Sequence, residues 1–113
     1  MLDLSVMAAI RALGEPGEPD VYSEVASLFL VDVPIHLLAL GAAIAAADSE
    51  SVWQTAHRLR GSALEMGAVR MAPLCAAIEQ EARAGSLEHA AAHAESLDRE
   101  FAAARRELEQ AIQ

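Results

Sequence analysis

The sequence predicts an all-α domain: an antiparallel up-down four-helix bundle with a short additional N-terminal helix. Three observations carry that prediction. The 113 residues include 26 alanines, and alanine has the highest helix propensity and allows close helix packing. Aromatic residues make up only 4%, whereas sheets draw on aromatic and β-branched side chains. Apolar residues recur at alternating spacings of three and four, in segments separated by breaks so short that consecutive helices must be antiparallel neighbours. At 11.9 kDa there is room for one domain over residues 1–113, with one core and no second module.

The elements follow in order. A short helix over about 2–13 presents Leu2, Val6, Ile10 and Leu13 on one face and stops at Gly14. Residues 14–19, rich in Gly and Pro, form the plainest loop in the chain. Asp20 suits an N-cap for a long helix to about Ala47, in which Pro34 removes one donor and predicts a bend. After a boundary at Asp48 and Ser49, a third helix from Glu50 to Gly67 carries the seam Val52, Ala56, Leu59, Ala63 and Met66. A fourth from Met71 to Ala84 turns Met71, Leu74, Cys75, Ile78 and Ala82 inward and stops at Gly85. The last starts at Ser86, with Ala90, Ala94, Leu97, Phe101, Ala104 and Leu108 as its seam, so the bundle spans about 20–112.

Composition excludes several functions. A net charge of −9 and a pI near 4.7 oppose nucleic-acid binding, which needs a basic face to displace counterions. The single Cys75 allows no intrachain disulfide and no multi-cysteine metal site. Met1-Leu2-Asp3 does not open a leader peptide, and the uncharged stretch Val33 to Ala47 is 15 residues, too short to span a bilayer. A soluble, cytoplasmic domain that binds no membrane is the expectation.

The third helix holds the unusual chemistry. With its seam centred on Ala56 and Leu59, His57 points roughly 140° away, toward solvent. Trp53, Gly61, Leu64 and Ala68 share that outer face. Glycine inside a helix costs about 1 kcal/mol relative to alanine, so a glycine one turn after an exposed histidine suggests space cleared for an approaching partner. The same residues also fit a plainer reading, in which Gly61 permits a close helix contact and Leu64 packs under the N-terminal helix. Between Ser51 and Ile78, Arg58, Arg60 and Arg70 against Glu65 make a local +2, leaving −11 to the rest of a chain that totals −9. Paired one by one with carboxylates, these arginines are ordinary. As a cluster around a histidine they suit an anionic group on the imidazole or an acidic partner surface.

The stretch Ala56-His57-Arg58-Leu59-Arg60-Gly61-Ser62, followed by Gly67-Ala68 beginning ten residues after the histidine, resembles the signature of histidine-containing phosphotransfer (HPt) domains. The resemblance extends upstream through Phe29-Leu30, Asp32, Pro34 and Leu37, and downstream through Leu74-Cys75, Ile78-Glu79, Ala82-Arg83 and Gly85. It covers about half the chain, in three blocks of matching order and spacing. One position departs: the family usually has lysine where Arg60 stands, and arginine offers a planar fork instead of a point charge.

The resemblance implies a phosphorelay carrier without kinase activity of its own. His57 would take a phosphoryl group from the aspartyl-phosphate of a response-regulator receiver domain and pass it to a second receiver. Glu79 would orient the imidazole, Arg60 would screen phosphoryl charge, and Arg58, Gly61, Leu64 and Ala68 would form the docking surface. It implies no cofactor of the chain's own, Mg²⁺ being supplied by the receiver. Receivers and a hybrid histidine kinase are the implied partners, and a monomer is the family expectation. Whether such a chain acts alone or within a hybrid kinase is left open.

Other readings have less support. A histidine-kinase dimerisation pair carries an acidic residue after its histidine and a proline within the next turn, whereas here Arg58 and Ser62 follow. A helical adaptor that binds receivers or kinases without carrying phosphate is the alternative from another class, and the retained histidine argues for the carrier. His89 and His93, four apart, suggest a metal site that Glu88 and Glu95 do not complete. His36 reads as a structural or boundary residue and Cys75 as a small buried hydrophobe. Trp53 is either a partner contact or, preferably, cover for the N-terminal helix.

Overall fold

The computed structural model describes residues 2–14 and 21–111. Five helices make up this part of the chain: α1 (Leu4–Arg11), α2 (Val21–Ala45), α3 (Ser49–Met66), α4 (Met71–Arg83) and α5 (Ala90–Ala111). Among the described residues no strand forms; Leu2 and Ala68 make one isolated antiparallel bridge. α3 packs against α2 and α4, and α5 against α4 and α2, so the four long helices close a ring of neighbours with α1 laid on α2 and α3.

Each long helix supplies one stripe to a shared core. From α3 come Val52, Ala56, Leu59, Ala63 and Met66, all buried, as their spacing requires. Opposite them lie Tyr22, Ala26, Phe29, Val33, Leu40 and Ala43 of α2, and Leu97, Phe101, Ala104 and Leu108 of α5. The Phe29 and Phe101 rings meet with centroids 5.7 Å apart, within the usual range for tilted aromatic pairs. Cys75 is buried, and desolvation pushes its thiol up to about 12, so it packs as a hydrophobe.

Several boundaries differ from the periodicity. α1 is shorter because Asp3 caps it, its carboxylate accepting from the Ser5 amide at 2.9 Å and the Ser5 hydroxyl at 2.6 Å. Leu2 therefore falls outside the helix and is buried beside Ala68; at the other end the helix stops at Arg11, and Leu13 beyond it is exposed. α2 runs through Pro34 and ends at Ala45, and Ala47 takes a left-handed φ of 55° before Asp48 caps α3 through Ser51. α5 begins at Ala90 rather than Ser86. The acceptor for its first turn is the Glu81 carboxylate of α4, 2.9 Å from the His89 amide, and local sequence does not reveal such a partner. The expected loop beyond Gly14 and the Asp20 cap lie outside the described residues.

α2 also exceeds the uncharged stretch read from the sequence. At 25 residues with Glu24 and Asp32 included, it is long and apolar enough to cross a bilayer by length and composition alone. Its buried stripe packs on α3 and α5, which is how a bundle helix packs.

Candidate functional site

The outer face of α3 and the facing edge of α4 build one polar cluster. Because Ala56 and Leu59 point inward, His57 is turned out and its side chain is 57% exposed. Glu79 follows Ile78 at the edge of the α4 stripe, so it faces α3 and its side chain is only 6% exposed. Its Oε1 lies 2.9 Å from His57 Nδ1. A carboxylate can only accept, so Nδ1 carries the proton and donates. Arg60 Nη2 lies 3.4 Å from the same Nδ1, but a protonated ring nitrogen has no lone pair to offer. The Glu79 contact decides the tautomer, and Nε2 keeps its lone pair free.

Two guanidinium groups share the Glu79 carboxylate with the histidine. Arg60 Nη1 stands 3.3 Å from Oε2, and Arg83 Nη2 stands 3.3 Å from Oε1. A nearly buried carboxylate is costly unless paired, and here it is paired from both helices. Arg83 in turn lies over the Trp53 ring, its Cζ 4.1 Å from the centroid. The sequence reading missed Arg83 as a member of the site. Its signal was available, because Glu79 and Arg83 stand four apart on one helix, as do Trp53 and His57.

The outer face is clear around His57. A Cβ placed at Gly61 meets nothing within 4 Å, so this glycine makes no close helix contact inside the molecule. Leu64 is 61% exposed and does not pack under α1. Both findings remove the plainer reading of this face. Arg58 is exposed and borders a shallow pocket with His36, Gln54 and Thr55, on the α2 side of α3.

Ala68 requires a correction. It is 1% exposed and cannot form part of a docking surface. Projecting the α3 helix to residue 68 fails because the helix ends at Met66, where Gly67 takes φ 74° as a left-handed cap. The turn folds Ala68 inward, where it forms an antiparallel bridge with the buried Leu2. Trp53 is also not cover for α1: it stacks under Arg83, whereas α1 and the segment before it meet α3 at Gly67, at the other end of that helix.

The remaining histidines have local roles. His89 Nδ1 lies 2.9 Å from Glu81 Oε2, and its ring centroid is 6.4 Å from that of His93. The hydrogen bond from His89, with the nearby charges of Glu88 and Glu81, raises the His89 pKa. Partial desolvation pushes Glu81 up, but the hydrogen bonds from the His89 ring and amide outweigh it and leave that carboxyl below its ordinary value. Among the described residues no group of three or more His, Cys, Asp or Glu is arranged to hold a metal ion.

The Hpt domain pattern matches residues 24–112 of the chain. The crystal structure of histidine-containing phosphotransfer protein B (HptB) from Pseudomonas aeruginosa PAO1 superposes with a TM-score of 0.92 at 36% identity, covering 99% of this chain and 94% of that one. No curated protein sequence matches.

Proposed function

The chain belongs to the Hpt domain family, carriers of phosphoryl groups in two-component signalling rather than kinases, and on that premise we propose that His57 is its phosphoacceptor. The observation that carries the reading is the 2.9 Å contact between His57 Nδ1 and Glu79 Oε1 on an imidazole whose other edge is open to solvent. We read the four long helices as an antiparallel up-down bundle, supported by their short connections and closed ring of contacts. The chain is taken to work in the cytoplasm as a monomer.

In this reading the donor is the aspartyl-phosphate of a receiver domain, which also brings the Mg²⁺ that neutralises phosphoryl charge. The Nε2 lone pair attacks phosphorus, the N–P bond forms, and the P–O bond to the aspartate breaks and returns a carboxylate to the receiver. The ring becomes cationic while Nδ1 keeps its proton, and the Glu79 carboxylate stabilises that charge. Arg60, 36% exposed, can swing from Glu79 to a phosphoryl oxygen. The reverse sequence delivers the group to a second receiver. Phosphoryl transfer depends chiefly on positioning and charge neutralisation, so these few side chains suffice. Gly61 admits the receiver's loops, Leu64 offers apolar contact, and Arg58 sits at the rim.

Incubation with a receiver phosphorylated with radioactive phosphate should label the chain, and His57→Gln should remove the label. Label that persists in His57→Gln would overturn the assignment. Receiver binding with no label in the wild type would instead make this a phosphate-independent adaptor.

A further inference from the structure

The α3–α4 interface holds a chain of four side chains linked by three contacts. Trp53 and His57 are four apart on α3, and Glu79 and Arg83 are four apart on α4. Two contacts cross between the helices: His57 Nδ1 to Glu79 Oε1 at 2.9 Å, and the Arg83 guanidinium over the Trp53 ring at 4.1 Å. The Arg83–Glu79 ion pair at 3.3 Å joins the two along α4. Arg83 and His57 contact the same carboxylate oxygen, Oε1.

From this geometry we infer that Trp53 is a positioning residue for His57, acting through Arg83 and Glu79. The inference rests on the reading of His57 as phosphoacceptor. Arg83 has a long, half-exposed side chain, and a single i,i+4 ion pair at 3.3 Å leaves the orientation of such a guanidinium loosely fixed. The indole face supplies the second contact that fixes the guanidinium over Oε1. Arg60 stands 3.3 Å from Oε2 as a charge partner without a hydrogen bond, so the orientation of the carboxylate is set from Oε1. That orientation aims Oε1 at Nδ1 and holds the imidazole in the tautomer with a nucleophilic Nε2. Trp53 is the only tryptophan in the chain, and it packs on the edge of the core. Its stack on Arg83 is a cross-helix contact that core packing does not require.

The test uses the full chain and potassium phosphoramidate, a small donor that needs no docking surface. Nitrogen-15 ring resonances report the tautomer of His57 with no phosphate present. Trp53→Leu and Arg83→Met should each shift neutral His57 away from the Nδ1–H form. Each should slow labelling by roughly two- to fivefold, the scale of an exposed cation–π contact. Trp53→Phe, which keeps an aromatic face, should restore most of both, and Trp53→Leu should add nothing in the Arg83→Met background. The inference is overturned if Trp53→Leu slows labelling equally with and without Arg83, or if the tautomer is unchanged in Arg83→Met. The second outcome is read even if Trp53→Leu does not fold, because Arg83 lies on the surface. A wild-type chain that takes no label at His57 would instead sink the phosphoacceptor reading, while the tautomer measurement would still stand.

Discussion

His57 and Glu79 are 22 residues apart in sequence and 2.9 Å apart in space, joined Nδ1 to Oε1 across the α3–α4 interface. Replacing Glu79 with alanine removes the acceptor that sets the tautomer and leaves Arg60 and Arg83 facing a void. Hydrogen bonds to charged groups contribute about 1.5–3 kcal/mol, or roughly 10- to 100-fold in rate. Phosphoryl acceptance by Glu79→Ala is expected to fall within that range. Glu79→Gln, which can still accept through its amide oxygen, should retain much more. Initial labelling rates of the two variants from one donor check this, and equal losses would count against the tautomer argument.

Gly61 separates docking from chemistry. Its Cβ position is open, so Gly61→Gln should raise stability by about 0.5–1 kcal/mol through helix propensity. The same side chain would stand where the receiver approaches, so transfer from a phosphorylated receiver should drop at least about tenfold, the effect of losing about 1.4 kcal/mol of docking. Labelling by phosphoramidate should be nearly unchanged. Thermal melts and the two donor assays together decide it; equal slowing with both donors would show that Gly61 serves the local structure.

Gly67 behaves in the opposite way. Its φ is 74°, and an added Cβ would stand 3.0 Å from Val6 Cβ and 3.2 Å from the Asp3 amide nitrogen. The Asp3 amide donates to the Gly67 carbonyl at 2.8 Å, so the close approach is part of how the N-terminal segment docks. Gly67→Ala should cost about 1–3 kcal/mol from strain at that conformation, measured by denaturant unfolding. A cost below about 0.5 kcal/mol would mean that the segment shifts freely.

The His89–Glu81 pair predicts a pH window. His89 has a raised pKa, so its contribution is complete below the ordinary histidine value of about 6.5 and is lost as pH rises through the folded value. Glu81 has a lowered pKa, so its contribution is complete above the ordinary value of about 4.3 and is lost as pH falls through the folded value. The pair should therefore support the α4–α5 turn most between about pH 4.5 and 6.5. The gap in melting temperature between wild type and His89→Gln should be widest near pH 5.5 and narrow by about pH 8.5. A gap constant across that range would contradict the pairing.

Periodicity carried the reading where helix faces are long and regular. The α3 stripe is buried residue for residue, because one core face and a 3.6-residue repeat leave no other way to place it. For the same reason the outward turn of His57 could be read from the chain alone, whereas the open space at Gly61 and the exposure of Leu64 were settled against the plainer reading only by the packed structure. The family motif supplied Glu79, and the helical wheel left it at the edge of its stripe.

Tertiary contacts decided the rest. Ala68 was misplaced because the helical wheel was carried past the helix end at Gly67, where a left-handed turn redirects the chain, and because nothing local reveals the bridge from Leu2 to Ala68. The start of α5 depends on the Glu81 carboxylate of another helix. Arg83 joins the site, and Trp53 leaves the N-terminal helix for it, through a cross-helix stack. The opening prediction of an all-helical domain thus rested on composition and spacing, properties local to each segment. Which oxygen meets which nitrogen depends on the rotation and axial offset of α4 against α3, and only the packed core sets those.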